Sequence, residues 1–131
     1  MEISNEEMKI LLKSQQGELD AILMYNALAD VAKHQNDVNT FRQLAKEEGH
    51  HANVFKEITN TVLKPKKTLA TIVPVLYKLI GRKKLYPIIA KNEYGAVNTY
   101  KPIADKFPEI ESVKNDEKRH GDTVMGLLKN K

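Results

Sequence analysis

The sequence predicts an all-α protein, a four-helix bundle made of two helical hairpins. Apolar residues recur at three- and four-residue spacing through most of the 131 residues, which is the period of a helix with one buried face. Alternating runs of β-branched residues, which are typical of strands, are scarce. The second half of the chain also repeats the pattern of the first half. We therefore expect one domain, residues 1–131, in which a helical hairpin occurs twice.

The first hairpin is predicted at about residues 4–63, and its first helix has a clear start. Ser4 and Glu7 have the spacing of a capping box, in which each side chain accepts a hydrogen bond from the other residue's backbone N–H. The apolar period then continues without a breaking residue. The first helix is therefore expected to run to about Lys33.

The second helix follows a short polar turn at residues 34–37. Asp37 and Asn39 are both residue types that cap helix N-termini, so one of them is expected to cap this helix. Its end is predicted before Pro65, because the residue that precedes a proline disfavours helical backbone. The two helices would form an antiparallel hairpin because the turn is short.

Residues 64–84 differ from the flanking hairpins and are predicted to form a long crossover with one short extra helix. Pro65, Pro74 and Gly81 interrupt the segment. Its apolar stripe either packs on the bundle or forms a subunit contact, and it consists of Leu69, Ile72, Val73, Leu76, Leu79 and Ile80. A basic run accompanies it: Lys64, Lys66, Lys67, Lys78, Arg82, Lys83 and Lys84. Such a run is usually a solvated stretch; the alternatives are a docking face for an acidic electron donor or a membrane-surface patch.

The second hairpin is predicted at about residues 85–129. Its first helix is expected to open near Pro87, since proline suits the first turn, and Pro102 is expected to kink that helix. A break at residues 106–108 leads into the last helix, which continues to about Lys129. Two hairpins joined by a long connection are one of the known topologies of four-helix bundles.

The internal repeat extends to residue types as well as to periodicity. Segment 18–30 aligns with segment 93–105, and Glu, Ala, Tyr, Ala and Asp coincide in that order. The helix that follows each segment carries a Glu-x-x-His pair on an apolar face. The aligned residues of that face are Phe41, Leu44, Glu48, His51, Phe55 and Ile58 in one copy and Ile110, Val113, Glu117, His120, Val124 and Leu127 in the other.

The glutamates and histidines that could bind metal lie on the helix faces that are predicted to be buried. Four carboxylates buried together are prohibitive without compensation, and the sequence offers no matching set of buried Lys or Arg. Two divalent cations would balance four carboxylates in formal charge. The predicted metal ligands, which should converge on one point between the helices, are Glu18, Glu48, His51, Glu93, Glu117 and His120.

The ligand types indicate which metal is expected. Three-residue spacing in Glu-x-x-His puts oxygen and nitrogen ligands one above the other, so both reach one ion. Two such motifs with two single Glu residues are the ligand set of di-iron and di-manganese carboxylate bundles. Mixed oxygen and imidazole ligands without thiolate suit iron or manganese, whereas zinc more often prefers a tetrahedral site. The ligand types therefore predict two metal ions, either iron or manganese.

A second Glu-x-x-His overlaps the first, and the two must be told apart. Glu47-x-x-His50 is offset by one residue from Glu48-x-x-His51. The repeat and the apolar face both select the latter pair, so His50 is predicted to lie on the surface.

Composition excludes several classes of function. The chain has no cysteine, which excludes disulfides, thiolate catalysis and Cys-ligated metal sites and fits a reducing compartment. No secretory signal and no apolar run long enough for a membrane span is visible. The net charge of +4 is modest, and no nucleic-acid-binding motif accompanies it. A cytoplasmic protein that binds no nucleic acid is expected.

The sequence resembles the rubrerythrin and ferritin-like di-iron carboxylate proteins over all four predicted bundle helices. The residues that carry the resemblance are Glu18 with Tyr25, Leu44-Ala45 before Glu48-x-x-His51-Ala52, Glu93 with Tyr100, and Asp116-Glu117-x-x-His120. The resemblance implies a ferritin-like bundle whose two iron ions react with hydrogen peroxide or dioxygen, a peroxidase or oxidase of the rubrerythrin kind.

The resemblance also implies roles for single residues. Glu48 and Glu117 would bridge the two metals. The other ligands would divide between the ions, Glu18 with His51 on one and Glu93 with His120 on the other. Tyr25 and Tyr100 would hydrogen-bond to ligand carboxylates around the metals.

Two departures from the family pattern bear on activity. Full-length rubrerythrins carry a Cys-rich rubredoxin domain, which this sequence does not show, so an external electron donor such as a rubredoxin-like protein is expected. Many relatives also carry an extra carboxylate one turn after the ligand Glu93, where this chain has Ala96 and Val97.

Other functions stay open at this point. A ferroxidase or an iron storage or delivery protein would use the same ligands without catalytic turnover, and substrate oxidation of the hydroxylase kind would use them as well. A bundle without metal that serves as an interaction module is the third class. Bundles of this size often pair, so a homodimer is an alternative to a monomer.

Overall fold

A computed structural model describes residues 2–129, and within them five α-helices and no strand occur. The prediction of an all-helical chain is confirmed. The helices are α1 (Asn5–Val31), α2 (Gln35–Thr59), α3 (Thr68–Ile80), α4 (Arg82–Ala104) and α5 (Pro108–Leu127). The chain divides after Val75 into two compact units, one with α1 and α2 and the other with α4 and α5. No helix in the described range has the length and apolar character needed to cross a membrane.

The first unit is a hairpin whose α1 begins as the capping box predicted. Ser4 Oγ accepts a hydrogen bond from Glu7 N at 3.1 Å, and Glu7 Oε1 accepts one from Ser4 N at 2.9 Å. Leu11, Leu28 and Phe55 are fully buried in the core of this unit. Close packing of such side chains, and not helix propensity alone, is what stabilises helices of this kind in water.

The predicted cap of α2 is wrong. This helix begins at Gln35, and its N-cap is His34, whose extended backbone leads straight into the first turn without a side-chain cap hydrogen bond. Asp37 lies inside the first turn and is buried, and Asn39 is one turn too late to cap. A carboxylate in the first turn is still favourable, because the N-terminal end of the helix dipole is positive.

The end of α2 lies before Pro65, as predicted. Asn60 follows the helix in the left-handed conformation, with φ at 52°, and its N–H donates to the Lys56 carbonyl at 2.7 Å. Asparagine is the usual non-glycine residue in this position, because its short polar side chain tolerates positive φ.

A helix does lie within residues 64–84, and this is α3, with Pro74 inside it. One side of α3 buries Val73 and Tyr77, and the Tyr77 ring lies 6.4 Å from the Tyr86 ring, centroid to centroid. The opposite side is exposed although it is apolar. That α3 crosses between two hairpins of one bundle stays a prediction.

The predicted start of α4 near Pro87 is wrong, because the helix begins five residues earlier, at Arg82. Gly81 precedes it with φ at 80°, a conformation in which glycine is favoured, and its carbonyl accepts from Leu85 N at 3.0 Å. Burial of Leu85 and Tyr86 favours this earlier turn, so Pro87 lies inside the helix and removes one of its hydrogen bonds.

The break between the last two helices is confirmed. α4 ends at Ala104, two residues after Pro102, and Pro108 occupies the first turn of α5. Proline is well tolerated there, since an N–H at that position has no partner within the helix. A kink at Pro102 stays a prediction.

Candidate metal centre

The first unit gathers one glutamate from α1 with a glutamate and a histidine from α2. Glu18, Glu48 and His51 are each at most 3% exposed. His51 Nδ1 lies 3.0 Å from Glu48 Oε1 and 3.6 Å from Glu18 Oε2. One imidazole nitrogen therefore faces two carboxylates in a site from which bulk water is excluded.

The second unit gathers the same three residue types from α4 and α5. Glu93, Glu117 and His120 are each at most 6% exposed. His120 Nδ1 lies 3.3 Å from Glu117 Oε1 and 3.6 Å from Glu93 Oε2. Within the Glu-x-x-His pair, the Nδ1-to-Oε1 distance differs from that of the first unit by 0.3 Å. The two halves that repeat in sequence therefore also place these side chains in nearly the same geometry.

Local helix geometry explains why both clusters form. Residues three apart on a helix lie on one face about 5–6 Å apart at Cβ, so the carboxylate of a Glu-x-x-His reaches the near nitrogen of the ring. That nitrogen is Nδ1 in both units. Large apolar residues one or two turns away bury the rest of each face: Phe41, Leu44 and Phe55 on α2, and Ile110, Val113 and Val124 on α5.

Electrostatics make these clusters unusual. Together they bury four carboxylates and two imidazoles, yet no Lys or Arg within residues 2–129 is buried. Burying carboxylates without a compensating cation is costly, because the charge leaves a high-dielectric solvent. Oxygen and imidazole ligands of this kind fit a divalent transition-metal ion. The chain thus holds a buried Glu/His group that could bind metal.

The predicted ligands are placed as follows. The structure brings Glu18 together with Glu48 and His51, and it brings Glu93 together with Glu117 and His120. That the two clusters meet in one centre stays a prediction. His50 is exposed, as predicted, and His51 is buried; that His51 and not His50 binds metal stays a prediction. Tyr25 and Tyr100 are both buried, and their hydrogen bonds to ligand carboxylates stay predictions.

The sequence reasoning missed Gln15, which lies three residues before Glu18 and is fully buried. Its Nε2 donates to the Thr61 carbonyl at 2.7 Å, and its Oε1 accepts from Thr59 Oγ1 at 2.6 Å. These bonds fix the end of α2 against α1 one turn from a predicted ligand. A polar residue in phase with the ligand face was the signal available in the sequence.

A second missed feature is the packing of Tyr94 on Gly121, beside the predicted ligands Glu93 and His120. A Cβ added to Gly121 would lie 2.4 Å from the Tyr94 ring, so only glycine allows this approach. Tyr94 Oη donates to Asp122 Oδ1 at 2.6 Å. This hydrogen bond, followed by desolvation, raises the pKa of Tyr94 to about 12. The pKa of the Asp122 carboxyl is lowered, first by the hydrogen bond from Lys118 and then by that from Tyr94.

The helices and the two buried clusters define a helical protein with a buried Glu/His group that could bind metal. The family model described as Rubrerythrin matches residues 9–128, which is most of the chain. The chain therefore belongs to the rubrerythrin family. Comparisons with curated proteins and with solved structures gave no match.

Proposed function

We propose that this chain is a di-iron carboxylate protein that reduces hydrogen peroxide or dioxygen with electrons from an external donor. The observation that carries the proposal is the pair of matched, buried Glu/Glu/His clusters, one in each unit. Membership of the rubrerythrin family supports it independently.

The proposal requires that both clusters contribute to one centre in a single ferritin-like domain, residues 1–131. Two single Glu residues with two Glu-x-x-His motifs are the set that holds a metal pair in carboxylate bundles. Two divalent ions would also balance the formal charge of the four carboxylates. No Lys or Arg among residues 2–129 is buried, so these side chains do not balance it. In this arrangement Glu48 and Glu117 would be shared by the two ions, Glu18 and His51 would hold one ion, and Glu93 and His120 would hold the other.

The chain's own residues would position and shield the site. Burial of all six ligands excludes bulk water, and the helix spacing holds each Nδ1 toward its carboxylates. Tyr25 stacks on Phe41, with ring centroids 5.8 Å apart, which fixes the ring whose hydroxyl would orient a ligand carboxylate. Two bound ferrous ions would supply the two electrons that convert one hydrogen peroxide and two protons to two waters.

The source of those electrons is an external donor in this proposal. These 131 residues contain no cysteine, so they cannot form the Cys-ligated iron site of a rubredoxin. A separate rubredoxin-like protein would return electrons to the centre after each turnover.

A second function, ferroxidase or iron storage and delivery, is favoured by one feature. The position one turn after Glu93 carries Ala96 and Val97, both half-buried, where many relatives have a further carboxylate. With fewer oxygen ligands the site would hold iron less tightly, which suits transfer of iron more than repeated turnover.

Stopped-flow mixing of ferrous-loaded protein with peroxide and, separately, with dioxygen tests the proposal. We expect rapid oxidation by one of these oxidants and repeated turnover when reductant is added. The matched variants are Glu48→Gln, which should abolish the reaction, and His50→Ala, which should leave it unchanged. Accumulation of ferric mineral without turnover would favour storage, and equal rates in both variants would contradict the proposed site.

A further inference from the structure

One side of α3 exposes large aliphatic side chains. Ile72 is 49% exposed, Val75 52% and Leu79 74%, and Leu69 continues the same side one turn earlier. Spacings of three, three and four residues place all four on one stripe of the helix. The opposite side buries Val73 and Tyr77, so α3 is already anchored and the stripe is left facing solvent.

The charge around this stripe is of one sign. Residues 58–92 contain no Asp or Glu, although the chain has 17 of them. The same segment contains eight basic residues: Lys64, Lys66, Lys67, Lys78, Arg82, Lys83, Lys84 and Lys91. The seven lysines are all exposed. Lys64, Lys66 and Lys67 precede α3, Lys78 lies in its last turn, and Lys83 and Lys84 follow it. A surface that covers the stripe therefore meets positive charge at both ends of the helix.

We propose that α3 and its basic flanks bind the surface of an anionic lipid membrane. The helix would lie in the plane of the interface, with the stripe of Leu69, Ile72, Val75 and Leu79 at the level of the acyl chains. The flanking lysines would extend to the lipid headgroups, since their long apolar stems allow the charged ends to reach water. This binding is independent of the metal clusters.

A second copy of the chain is a poor occupant of the same face. In a symmetric dimer the face would meet itself, which brings two sets of eight basic residues together without a carboxylate in either segment. Like charges placed opposite each other oppose association. An anionic lipid surface has the complementary sign.

Residue types also favour lipid over an acidic protein. Cores of protein–protein interfaces are enriched in aromatic residues, methionine and arginine, and they are depleted of lysine. The exposed stripe has only Leu, Ile and Val, and its aromatic neighbour Tyr77 is buried on the other side. Lysine at an interfacial helix, in contrast, contributes roughly a fivefold gain in binding to anionic lipid per residue.

The length of α3 determines how it would bind. A helix of 13 residues is about 20 Å long, too short for the hydrocarbon core but sufficient to lie along the interface. Pro74 lies in the helix but next to the buried side, so it leaves the exposed stripe continuous.

Vesicle co-sedimentation of the full chain tests the proposal, with phosphatidylcholine vesicles alone and with about a third phosphatidylglycerol. We expect binding to the anionic vesicles only, weakened by salt. Lys83→Gln with Lys84→Gln should weaken it by roughly tenfold or more. The matched control is Lys9→Gln with Lys46→Gln, which removes the same charge from exposed positions on α1 and α2 and should retain binding.

The apolar stripe needs a readout of its own. Because the chain has no cysteine, Leu79→Cys gives a single site for an environment-sensitive fluorophore. We expect a blue shift on adding anionic vesicles at this site and none at Asn98→Cys, an exposed position on α4. Circular dichroism of each variant checks that the helices are retained.

Four results would overturn the proposal. The first is no binding of wild-type protein to anionic vesicles. The second is equal loss in the two lysine double variants, which would mean general charge attraction. The third is a dimer in native mass measurement that Ile72→Asn with Leu79→Asn dissociates, because the stripe would then be a subunit contact. Binding to polyglutamate without binding to vesicles would assign the face to an acidic protein.

Discussion

The two helical hairpins place the same three predicted ligands, two glutamates and a histidine, at nearly the same distances but pack them differently. Imidazole-to-carboxylate distances are 3.0 and 3.6 Å in the first and 3.3 and 3.6 Å in the second. Around them, Phe41 and Phe55 in the first hairpin correspond to Ile110 and Val124 in the second. The Glu–His geometry therefore depends on the spacing of residues along the helix, and cores of different shape can support it.

The hairpins also differ in the helices that carry the single glutamates of the clusters, Glu18 and Glu93. α1 has a capping box and no proline, whereas α4 follows Gly81 and contains Pro87 and Pro102. Each interior proline removes a helical hydrogen bond and costs up to about 3 kcal/mol in an unconstrained helix. α4 therefore depends more than α1 on tertiary packing, such as burial of Tyr86 and Ile89.

The largest expected effect tests whether the two clusters are equivalent. We expect His51→Ala and His120→Ala each to weaken metal binding by more than about a hundredfold, since loss of a ligand should exceed the loss of an outer hydrogen-bond partner. Elemental analysis of protein purified without a metal-affinity tag measures metal per chain. His50→Ala is the control and should keep full occupancy. Equal occupancy in all three variants would show that these histidines are not ligands.

The packing difference predicts unequal costs at matched positions. Phe55→Ala should destabilise by about 3–5 kcal/mol, because it leaves a large cavity in a fully buried site. Val124→Ala removes two methyl groups and should cost roughly 2 kcal/mol. Urea denaturation at a fixed metal concentration gives both values. Equal losses would mean that the aromatic core of the first hairpin adds nothing beyond the aliphatic core of the second.

A smaller effect is expected where Gly121 faces Tyr94. The corresponding residue of the first hairpin is Ala52, so a side-chain methyl group fits at this position there. The comparison predicts that the same methyl group is destabilising in the second hairpin. Gly121→Ala should destabilise by about 1–3 kcal/mol, because the added Cβ displaces the Tyr94 ring from its hydrogen bond with Asp122.

Gly95→Ala is the matched control for that substitution. Its Cβ would meet nothing within 4 Å, so helix propensity should make it neutral or stabilising by up to about 1 kcal/mol. Adding Tyr94→Leu should relieve the cost of Gly121→Ala, since leucine occupies the aligned position Leu19. If the double variant is as unstable as Gly121→Ala alone, the loss of stability does not come from a clash with the Tyr94 ring.

The smallest effect concerns the ionisation of Tyr94. Its pKa is raised from 10.0 to about 12 in the folded protein, so the protonated phenol is the stabilised form. The stabilisation is fully present below pH 10 and is lost as the pH rises through 12. Ultraviolet titration should show a late tyrosinate step that Tyr94→Phe removes and Asp122→Ala shifts to lower pH. A late step that survives Tyr94→Phe would assign it to another tyrosine.

Features encoded locally were predictable from the sequence. The capping box at Ser4 and the break before Pro108 depend on a few adjacent residues, and both were found. The burial of the six predicted ligands was also predictable, because acidic residues and histidines in phase with an apolar stripe are rare enough to be informative. The internal repeat then separated His51 from His50.

Features set by tertiary contacts were not predictable. Pro87 gave a strong local signal for a helix start, but burial of Leu85 and Tyr86 favoured an earlier one. Asp37 is a residue type that caps helices, but α2 already begins at Gln35, after the extended backbone of His34. The contact of Tyr94 with Gly121 joins residues 27 apart in sequence, and no local pattern specifies it.

The central claim is that the two clusters form one dinuclear centre. Iron K-edge X-ray absorption of protein loaded with ferrous iron tests it most directly, because scattering from a neighbouring iron reports a metal pair. We expect an iron–iron distance of about 3.5–4 Å in wild-type protein, and its loss in His120→Ala. Two irons per chain without an iron–iron distance would contradict the claim and show one mononuclear site in each hairpin.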